Sequence, residues 1–386
     1  MDLEFTEEQE LLRETVRGLC ERHVPYSVVR AMEDDPTGFP QDFWKQLGSL
    51  GLTGLLLPEE YGGGGQSMLE GVILYEELGR ALAPSPHFGS AVIGAGVLLA
   101  AGSDAQKREW LPKIAAGERI LAPAWLEPDG GFRPRGVQLQ AKASGDGFEL
   151  RGTKRHVAFA SSASALVVLA RTGPGETDVD LFLVDPSTPG VSLEQSFTVS
   201  SDTQYEVTFD GARVRAADRV GAAGTGWATW DRVLQDGVIL LAAQAIAGAE
   251  RALEITVAYS KQREQFDKPL GAFQALAHYM ADAATTVDGG KHLVYEAAWA
   301  HANGRSVKRL APMAKLFACD TFRDTTAMAL QIHGGMGFTV EYDIQLYFRR
   351  AKAQQISWWD ARTCEERIAA DVLDGDEPAH FRVVDA

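Results

Sequence analysis

The spacing of apolar residues changes twice along the chain and predicts helices, then strands, then helices again. Thr6 and Gln9 have the spacing of a capping box that opens a first helix. Apolar positions then recur at helical intervals: Leu11, Leu12, Val16, Leu19 and Cys20. Further helices are predicted at 43–50, 69–82, 91–101 and 107–115. The glycine-rich stretch 58–65 indicates a surface turn, because no lysine–serine pair or strand flanks it.

Near residue 121 the period shortens to two, which is typical of strands. Alternating apolar positions include Val137/Leu139, Phe148/Leu150, Val179/Leu181/Leu183, Val191/Leu193 and Tyr205/Val207/Phe209. A continuous apolar strand is predicted at 165–170. About 100 residues of short strands favour a small β-barrel or sandwich. The helical period returns after the glycines at 221–226 and continues to about 373.

These periods predict an α+β protein with three domains. The predicted domains are an N-terminal helical domain at 1–120, a β-barrel domain at 121–226 and a C-terminal helical-bundle domain at 227–386. The tail at 375–386 is polar, and we expect only a neighbour to order it.

Composition narrows the range of partners and compartments. A net charge of −16 argues against nucleic acid or an anionic membrane surface, although a CoA ligand needs only a local basic site. The three cysteines are far apart, lack metal-binding spacing and suit buried thiols in a reducing cytosol. The acidic first residues do not resemble a signal peptide, and no apolar run approaches the ~20 residues of a membrane span. We therefore expect a soluble, cytoplasmic protein.

Two short motifs carry the candidate chemistry. The segment 331–337, Gln-Ile-His-Gly-Gly-Met-Gly, places three glycines within four residues, so backbone N–H groups there can approach a phosphate closely. Taken alone it also fits a helix C-cap turn. The segment 262–266, Gln-Arg-Glu-Gln-Phe, closes an amphipathic helix, and taken alone it also fits a solvated arginine beside a buried phenylalanine.

Together these motifs resemble the acyl-CoA dehydrogenase family of flavoproteins, nearly end to end. The supporting segments are Leu-Pro-Glu-Glu-Tyr-Gly-Gly at 57–63, Glu-Pro at 127–128, Tyr-Ser-Lys-Gln-Arg-Glu-Gln-Phe at 259–266, Pro-Leu-Gly-Ala-Phe-Gln at 269–274, and 331–337. The resemblance implies the same three-domain order, with a C-terminal four-helix bundle. It also implies FAD as cofactor, removal of the α-proton of an acyl-CoA thioester by a carboxylate, and transfer of the β-hydrogen as hydride to flavin N5.

In that family the ADP end of FAD reaches a neighbouring subunit, and this sequence keeps the residues of that end. The resemblance implies that Arg263 pairs with the pyrophosphate and that Phe266 packs nearby. It implies that Leu270 and Phe273 line the adenine side. Gln331, Gly334 and Gly335 are expected to contact the ADP portion through an amide and close backbone.

The flavin-ring end departs from the family pattern. Where the family has a hydroxyl residue before Glu-Pro, this chain has Leu126, and Gly-Phe-Arg follows at 131–133. The family's aromatic-Ile-Thr-Asn motif aligns with His-Val-Ala-Phe at 156–159, so Ala158 replaces the hydroxyl that faces flavin. A methyl group cannot donate that hydrogen bond. His156 is either a stacking residue or a polar strand histidine.

The catalytic carboxylate is absent from both positions that the family uses. Trp358 stands where the usual glutamate would be, and Asp360 would point elsewhere, about 200° around a continuing helix. The other position, on the first helix of the C-terminal domain, falls on Gly237. Asp236 is adjacent and is either a displaced base or an exposed first-turn aspartate favoured by the helix dipole.

The pattern of losses resembles the non-catalytic subunit of heteromeric, α2β2 acyl-CoA dehydrogenases of steroid side-chain breakdown. We therefore predict a chain that is inactive alone and completes the FAD site of a homologous partner, which binds the acyl-CoA and passes electrons to an electron-transfer acceptor. Its own ring pocket is predicted to be filled by Trp358, Phe132 and His156. The alternatives are a homotetrameric enzyme that uses Asp236 as base and a flavin-free structural homologue.

Overall fold

The structure is a computed structural model that describes residues 4–375, so the predicted polar tail lies outside the described residues except for Gly375. The chain forms two compact units, divided between Gly237 and Val238. Helices, a β-sheet and helices follow one another along the sequence, which confirms the predicted α+β class. No helix among residues 4–375 combines the length and the apolar content that a bilayer crossing requires.

The first unit begins with the predicted helices and with one helix, at Tyr26–Ala31, that the apolar spacing did not predict. They are α1 (Glu7–His23), α2 (Tyr26–Ala31), α3 (Gln41–Ser49), α4 (Met68–Arg80), α5 (Ala95–Ala101) and α6 (Asp104–Ala115), with a π-helical stretch, Phe88–Gly94, before α5. The predicted capping box of Thr6 and Gln9 is present. Arg17 of α1 pairs with the buried Glu77 of α4 at 2.7 Å, which offsets the cost of burying that carboxylate.

The strands of the first unit form one sheet in the order β6-β7-β3-β2-β4-β5-β8, with β1 paired to β4. They are β1 (Leu121–Ala124), β2 (Gln140–Ser144), β3 (Gly147–Ala158), β4 (Ala165–Arg171), β5 (Val179–Val184), β6 (Val191–Ser196), β7 (Gln204–Arg215) and β8 (Arg219–Val220). Pairing is antiparallel except where β4 meets β1 and β2. The continuous apolar strand predicted at 165–170 is β4, and those six residues are all buried.

The remaining helices are α7 (Gly226–Gln262), α8 (Gln274–Ala302), α9 (Leu310–His333), α10 (Ile344–Ile356) and α11 (Ala361–Leu373). A small hairpin of β9 (Glu264–Gln265) and β10 (Lys268–Pro269) follows α7. Glycines allow close helix packing in the second unit: a Cβ at Gly248 would meet the Phe322 ring at 2.7 Å, and one at Gly290 would meet Ile246 at 2.5 Å. All three cysteines lie buried as free thiols, as predicted.

A buried histidine in the first unit makes stability depend on pH. The Nε2 atom of His87 lies 3.0 Å from the Leu52 carbonyl oxygen, and Nδ1 lies 2.9 Å from the Tyr75 hydroxyl. Because a carbonyl only accepts, Nε2 carries the proton of the neutral ring and Nδ1 accepts from the tyrosine. Burial lowers the pKa of His87 from 6.5 to about 4.

The unfolded chain therefore binds a proton at His87 before the folded chain does. Between pH 6.5 and pH 4 this group should remove up to roughly 3 kcal/mol from the free energy of unfolding as the pH falls. Denaturant unfolding at pH 7 and pH 4.5 measures the loss. His87→Gln cannot titrate and should lack this component, so an identical pH dependence in the variant and the parent chain would contradict the assignment.

Candidate functional site

The basic-aromatic motif lies at the point where α7 ends and the hairpin begins. The Arg263 N–H donates to the Tyr259 carbonyl oxygen at 2.8 Å, and the Arg263 carbonyl accepts from the Leu270 N–H at 2.8 Å. These two backbone hydrogen bonds fix the arginine between the helix and the hairpin. The arginine is exposed, and its guanidinium makes no hydrogen bond or ion pair with the described part of the chain. Its charge is therefore available to an external anion.

The tip of the hairpin holds an aromatic side chain in solvent at a conformational cost. Phe266 and Asp267 form the turn with φ of +55° and +61°, a region that glycine or asparagine normally occupies in two-residue hairpins. Phe266 is 87% exposed and contacts Phe273 edge-on, at 6.3 Å between ring centroids. The Lys268 ammonium lies 4.3 Å from the centroid of the same Phe273 ring. The hairpin tip therefore presents an aromatic ring to solvent from a strained backbone conformation.

The glycine turn lies at the end of α9 and leaves its backbone uncovered. Gly334 has φ of +63° and terminates the helix, so the C-cap interpretation describes its backbone correctly. A Cβ built on Gly334 or Gly335 would meet no atom within 4 Å, so the surface over both residues is open. The exposed Gln331 amide has no partner among residues 4–375. This turn can present backbone and amide groups to a ligand.

An aromatic stack joins the two motifs. The Tyr259 ring, one helical turn before Arg263, lies face to face with the His333 ring at 4.2 Å between centroids and 23° between planes. Tyr342 packs on the same histidine at 5.3 Å. The structure thus brings together all seven predicted ADP-side residues on one unit. Neither Tyr259 nor His333 was among the predicted site residues, although both lie inside the quoted motifs.

In the first unit, the Glu-Pro segment at 127–128 has a structural role. The Glu127 carboxylate accepts hydrogen bonds from the backbone N–H groups of Gln138 and Leu139 and lies 2.6 Å from the Lys154 ammonium. The Lys154 side chain is fully buried, and burial lowers its pKa to about 8 despite the Glu127 charge. This ion pair fastens the loop after β1 to strand β3.

The predicted ring-side residues Phe132 and His156 lie in different surroundings. Phe132 is half-buried, and its ring centroid lies 5.6 Å from that of Trp125. His156, by contrast, is exposed at a bulge of β3, with Nδ1 lying 2.8 Å from the Gln204 amide oxygen. The contact with Gln204 fits the polar strand histidine, and the filling of a ring pocket by His156 stays a prediction.

The first base position lies in a link between helices. Helix α10 ends at Ile356, Trp358 has φ of +68°, and Asp360 caps α11 by accepting from the Thr363 N–H at 2.8 Å. The prediction that Asp360 continues a helix from Trp358 is wrong, because α10 ends at Ile356 and Trp358 adopts a left-handed conformation. The carboxylate of Asp360 is used as a helix cap.

The second base position is closed by packing. A Cβ on Gly237 would meet Ile93 at 2.9 Å, Val92 at 3.4 Å and Phe88 at 3.5 Å. A carboxylate side chain at this residue would therefore force the end of the Ile93 side chain to move. Asp236 is half-buried and lies ten residues into α7, so its assignment to the first helical turn is wrong.

Comparisons with known proteins agree with the fold and the motifs. Three family models match: the acyl-CoA dehydrogenase N-terminal domain at 6–118, the middle domain at 122–212 and the C-terminal domain at 224–357. The "Probable acyl-CoA dehydrogenase YngJ" of Bacillus subtilis is 33% identical, over 92% of this chain and 95% of its own length. The chain belongs to the acyl-CoA dehydrogenase family, whose members are FAD-dependent oxidoreductases of acyl-CoA thioesters.

Two similar solved structures are heteromeric. The ChsE4-ChsE5 complex from Mycobacterium tuberculosis contains a chain that is 28% identical, with a TM-score of 0.87 over 98% of this chain and 100% of that one. A variant of the Tcur3481-Tcur3483 steroid acyl-CoA dehydrogenase contains a chain that is 31% identical, with a TM-score of 0.83 over 94% of this chain and 97% of that one.

Proposed function

We propose that this chain is the non-catalytic subunit of a heteromeric, α2β2 acyl-CoA dehydrogenase. It binds the ADP end of a shared FAD, and a homologous partner holds the flavin ring, binds most of the acyl-CoA and supplies the catalytic carboxylate. The observation that carries the proposal is the exposed Arg263 beside a strained, solvent-facing Phe266, in a chain with no carboxylate at either base position. The three domains at 1–120, 121–226 and 227–386 are part of this proposal.

The residues of the second unit suit the nucleotide end of FAD. The Arg263 guanidinium is a fork of donors that matches the pyrophosphate oxygens. The open backbone at Gly334 and Gly335 allows the close approach that the ADP portion needs, and the Gln331 amide adds a donor and an acceptor. Phe266 offers its ring to the nucleotide. Leu270 and Phe273, both half-buried, complete the adenine side.

The residues of the first unit do not suit the flavin ring. The side chains of Leu126 and Ala158 carry no donor for the ring oxygens and nitrogens. The Nδ1 atom of His156 lies against the Gln204 amide oxygen. The Glu127 carboxylate already pairs with Lys154 and accepts hydrogen bonds from two backbone N–H groups. We therefore place the ring on the partner subunit.

The chemistry of the pair divides accordingly. FAD, when bound, supplies the acceptor for the hydride that leaves the β-carbon of the thioester. This chain anchors the nucleotide, neutralises pyrophosphate charge through Arg263 and keeps the cofactor oriented, but it moves no proton. The α-proton passes to the partner's carboxylate.

The substrate class and the acceptor are proposed on similarity. Both similar solved structures are heteromeric and one of them is a steroid acyl-CoA dehydrogenase, so we propose a steroid side-chain CoA as substrate. An electron-transfer protein is the proposed oxidant of the reduced pair. We place the reaction in the cytoplasm.

Activity measured with and without the partner tests this function. We expect no acyl-CoA oxidation by the lone chain and full turnover by the co-expressed pair. Asp236→Asn in this chain should leave the turnover of the pair unchanged within about twofold, because we place the base on the partner. Loss of turnover in that variant, or oxidation by the lone chain, would favour the homotetrameric alternative. A pair that carries no flavin would favour the structural homologue.

The hairpin tip allows a matched comparison of strain and binding. Asp267→Gly removes the strain of a left-handed backbone conformation and keeps the Phe266 ring. It should raise the free energy of unfolding by about 1 kcal/mol while FAD affinity stays constant. Phe266→Gly should stabilise similarly but weaken FAD binding by about tenfold, because one aromatic contact of ~1–2 kcal/mol is lost. Equal FAD affinity in the two variants of the pair, measured by flavin fluorescence titration, would exclude Phe266 from the site.

A further inference from the structure

His333 presents a buried acceptor without a partner at the base of the glycine turn. Only 3% of the residue is exposed. The Nδ1 atom lies 2.8 Å from the Ala329 carbonyl oxygen. Because a carbonyl only accepts, Nδ1 carries the proton of the neutral ring, and Nε2 is left with a lone pair. No group in the described part of the chain donates to that buried Nε2 atom.

The packing around the ring keeps it in this state. Tyr259 stacks on one side, Tyr342 packs at 5.3 Å, and a Cβ on Gly337 would approach the His333 Cβ to 3.1 Å. Burial lowers the pKa of His333, although the Ala329 hydrogen bond opposes the shift, so the neutral ring is the form present near pH 7. A buried acceptor without a donor destabilises the folded chain, and that cost disappears when a donor arrives.

We propose that Nε2 of His333 accepts a hydrogen bond from an N–H or O–H group of the nucleoside that binds at the glycine turn. This inference rests on the proposed function and adds a binding residue to it. His333 immediately precedes Gly334, the first residue of the open Gly334–Gly335 backbone. A nucleoside carries two kinds of donor, the adenine amino group and the ribose hydroxyls, and each satisfies the same lone pair.

The test uses the co-expressed pair, stripped of flavin and reconstituted with FAD or with flavin hypoxanthine dinucleotide, which lacks the adenine amino group. His333→Phe keeps the stack on Tyr259 and removes the acceptor, so we expect FAD to bind about fivefold to twentyfold more weakly. His333→Gln, which carries an amide oxygen, should recover part of that loss. A structural role through stacking alone would leave the phenylalanine variant as tight as the parent pair, and this result would overturn the proposal.

The two ligands distinguish the donors. If the adenine amino group donates, His333→Phe weakens FAD but leaves the hypoxanthine dinucleotide unchanged. If a ribose hydroxyl donates, both ligands weaken equally. Nitrogen NMR of the 15N-histidine-labelled pair provides a readout that needs no variant: the Nε2 resonance of His333 should shift on FAD binding, and an unchanged resonance would overturn the proposal. The pair that carries Arg263→Ala separates a failure of the His333 proposal from a failure of the proposed FAD-binding function. Weak FAD binding in Arg263→Ala with normal binding in His333→Phe would reject only the role of His333.

Discussion

Replacing Arg263 by alanine should weaken FAD binding to the heteromeric pair by about tenfold to a hundredfold. The guanidinium makes no ion pair within residues 4–375, so its removal leaves no unpaired protein charge and acts on the ligand alone. Charge-assisted hydrogen bonds contribute about 1.5–3 kcal/mol, which corresponds to that range of affinity. Flavin retention during dilution, followed by fluorescence, measures the change.

A nearby cation provides the control for this prediction. Lys261 is exposed in the last turn of α7 and carries the same charge two residues earlier. Lys261→Ala should change FAD affinity by no more than about twofold, since surface charges act weakly at ordinary salt. Arg263→Lys should fall between the parent and Arg263→Ala, because an ammonium lacks the paired donors of a guanidinium. Equal losses in Lys261→Ala and Arg263→Ala would mean that net charge, and not a specific phosphate contact, governs binding.

Replacing Lys154 by methionine should lower the free energy of unfolding of the first unit by about 3–5 kcal/mol. The ammonium is fully buried, and Glu127, whose side chain is only 7% exposed, would keep its charge without its cationic partner. The two backbone N–H groups that Glu127 accepts from cannot replace a full positive charge. Denaturant unfolding at pH 7 measures the loss directly.

The double variant, Lys154→Met with Glu127→Gln, removes both charges and should recover a large part of the lost stability. A glutamine can still accept from the N–H groups of Gln138 and Leu139, so the loop after β1 keeps its attachment. A double variant as unstable as Lys154→Met would show that the packing of the lysine stem, rather than the orphaned carboxylate, sets the cost.

Most of the secondary structure could be predicted from the sequence, because periodicity and capping depend on residues close together in the chain. The capping box at Thr6 and the buried strand β4 followed from the types and spacing of residues alone. Asp360 was misplaced because Trp358 adopts a left-handed conformation. That conformation is uncommon for a non-glycine residue, so the sequence gives no sign of it. Asp236 was misplaced because the start of α7 lies ten residues earlier than the helix dipole argument assumed.

The candidate site could be predicted only in part, because several of its contacts join residues far apart in the sequence. The proposed ADP-side residues rest on the family resemblance, and the structure adds the geometry that joins their two motifs. The stack of Tyr259 on His333 joins residues that are 74 positions apart, and no local pattern encodes such a contact. The role of Glu127 likewise depended on Lys154, a lysine that lies on another strand. A cation in a strand is normally read as exposed, so burial of this one had to come from the fold.

The flavin content of the purified chain and of the purified pair tests the central claim most directly. Absorbance of released FAD, divided by chain concentration, should give about one FAD for every two chains in the pair and almost none in the lone chain. One FAD per copy in the lone chain, with the ring against its own His156 and Ala158, would contradict the account.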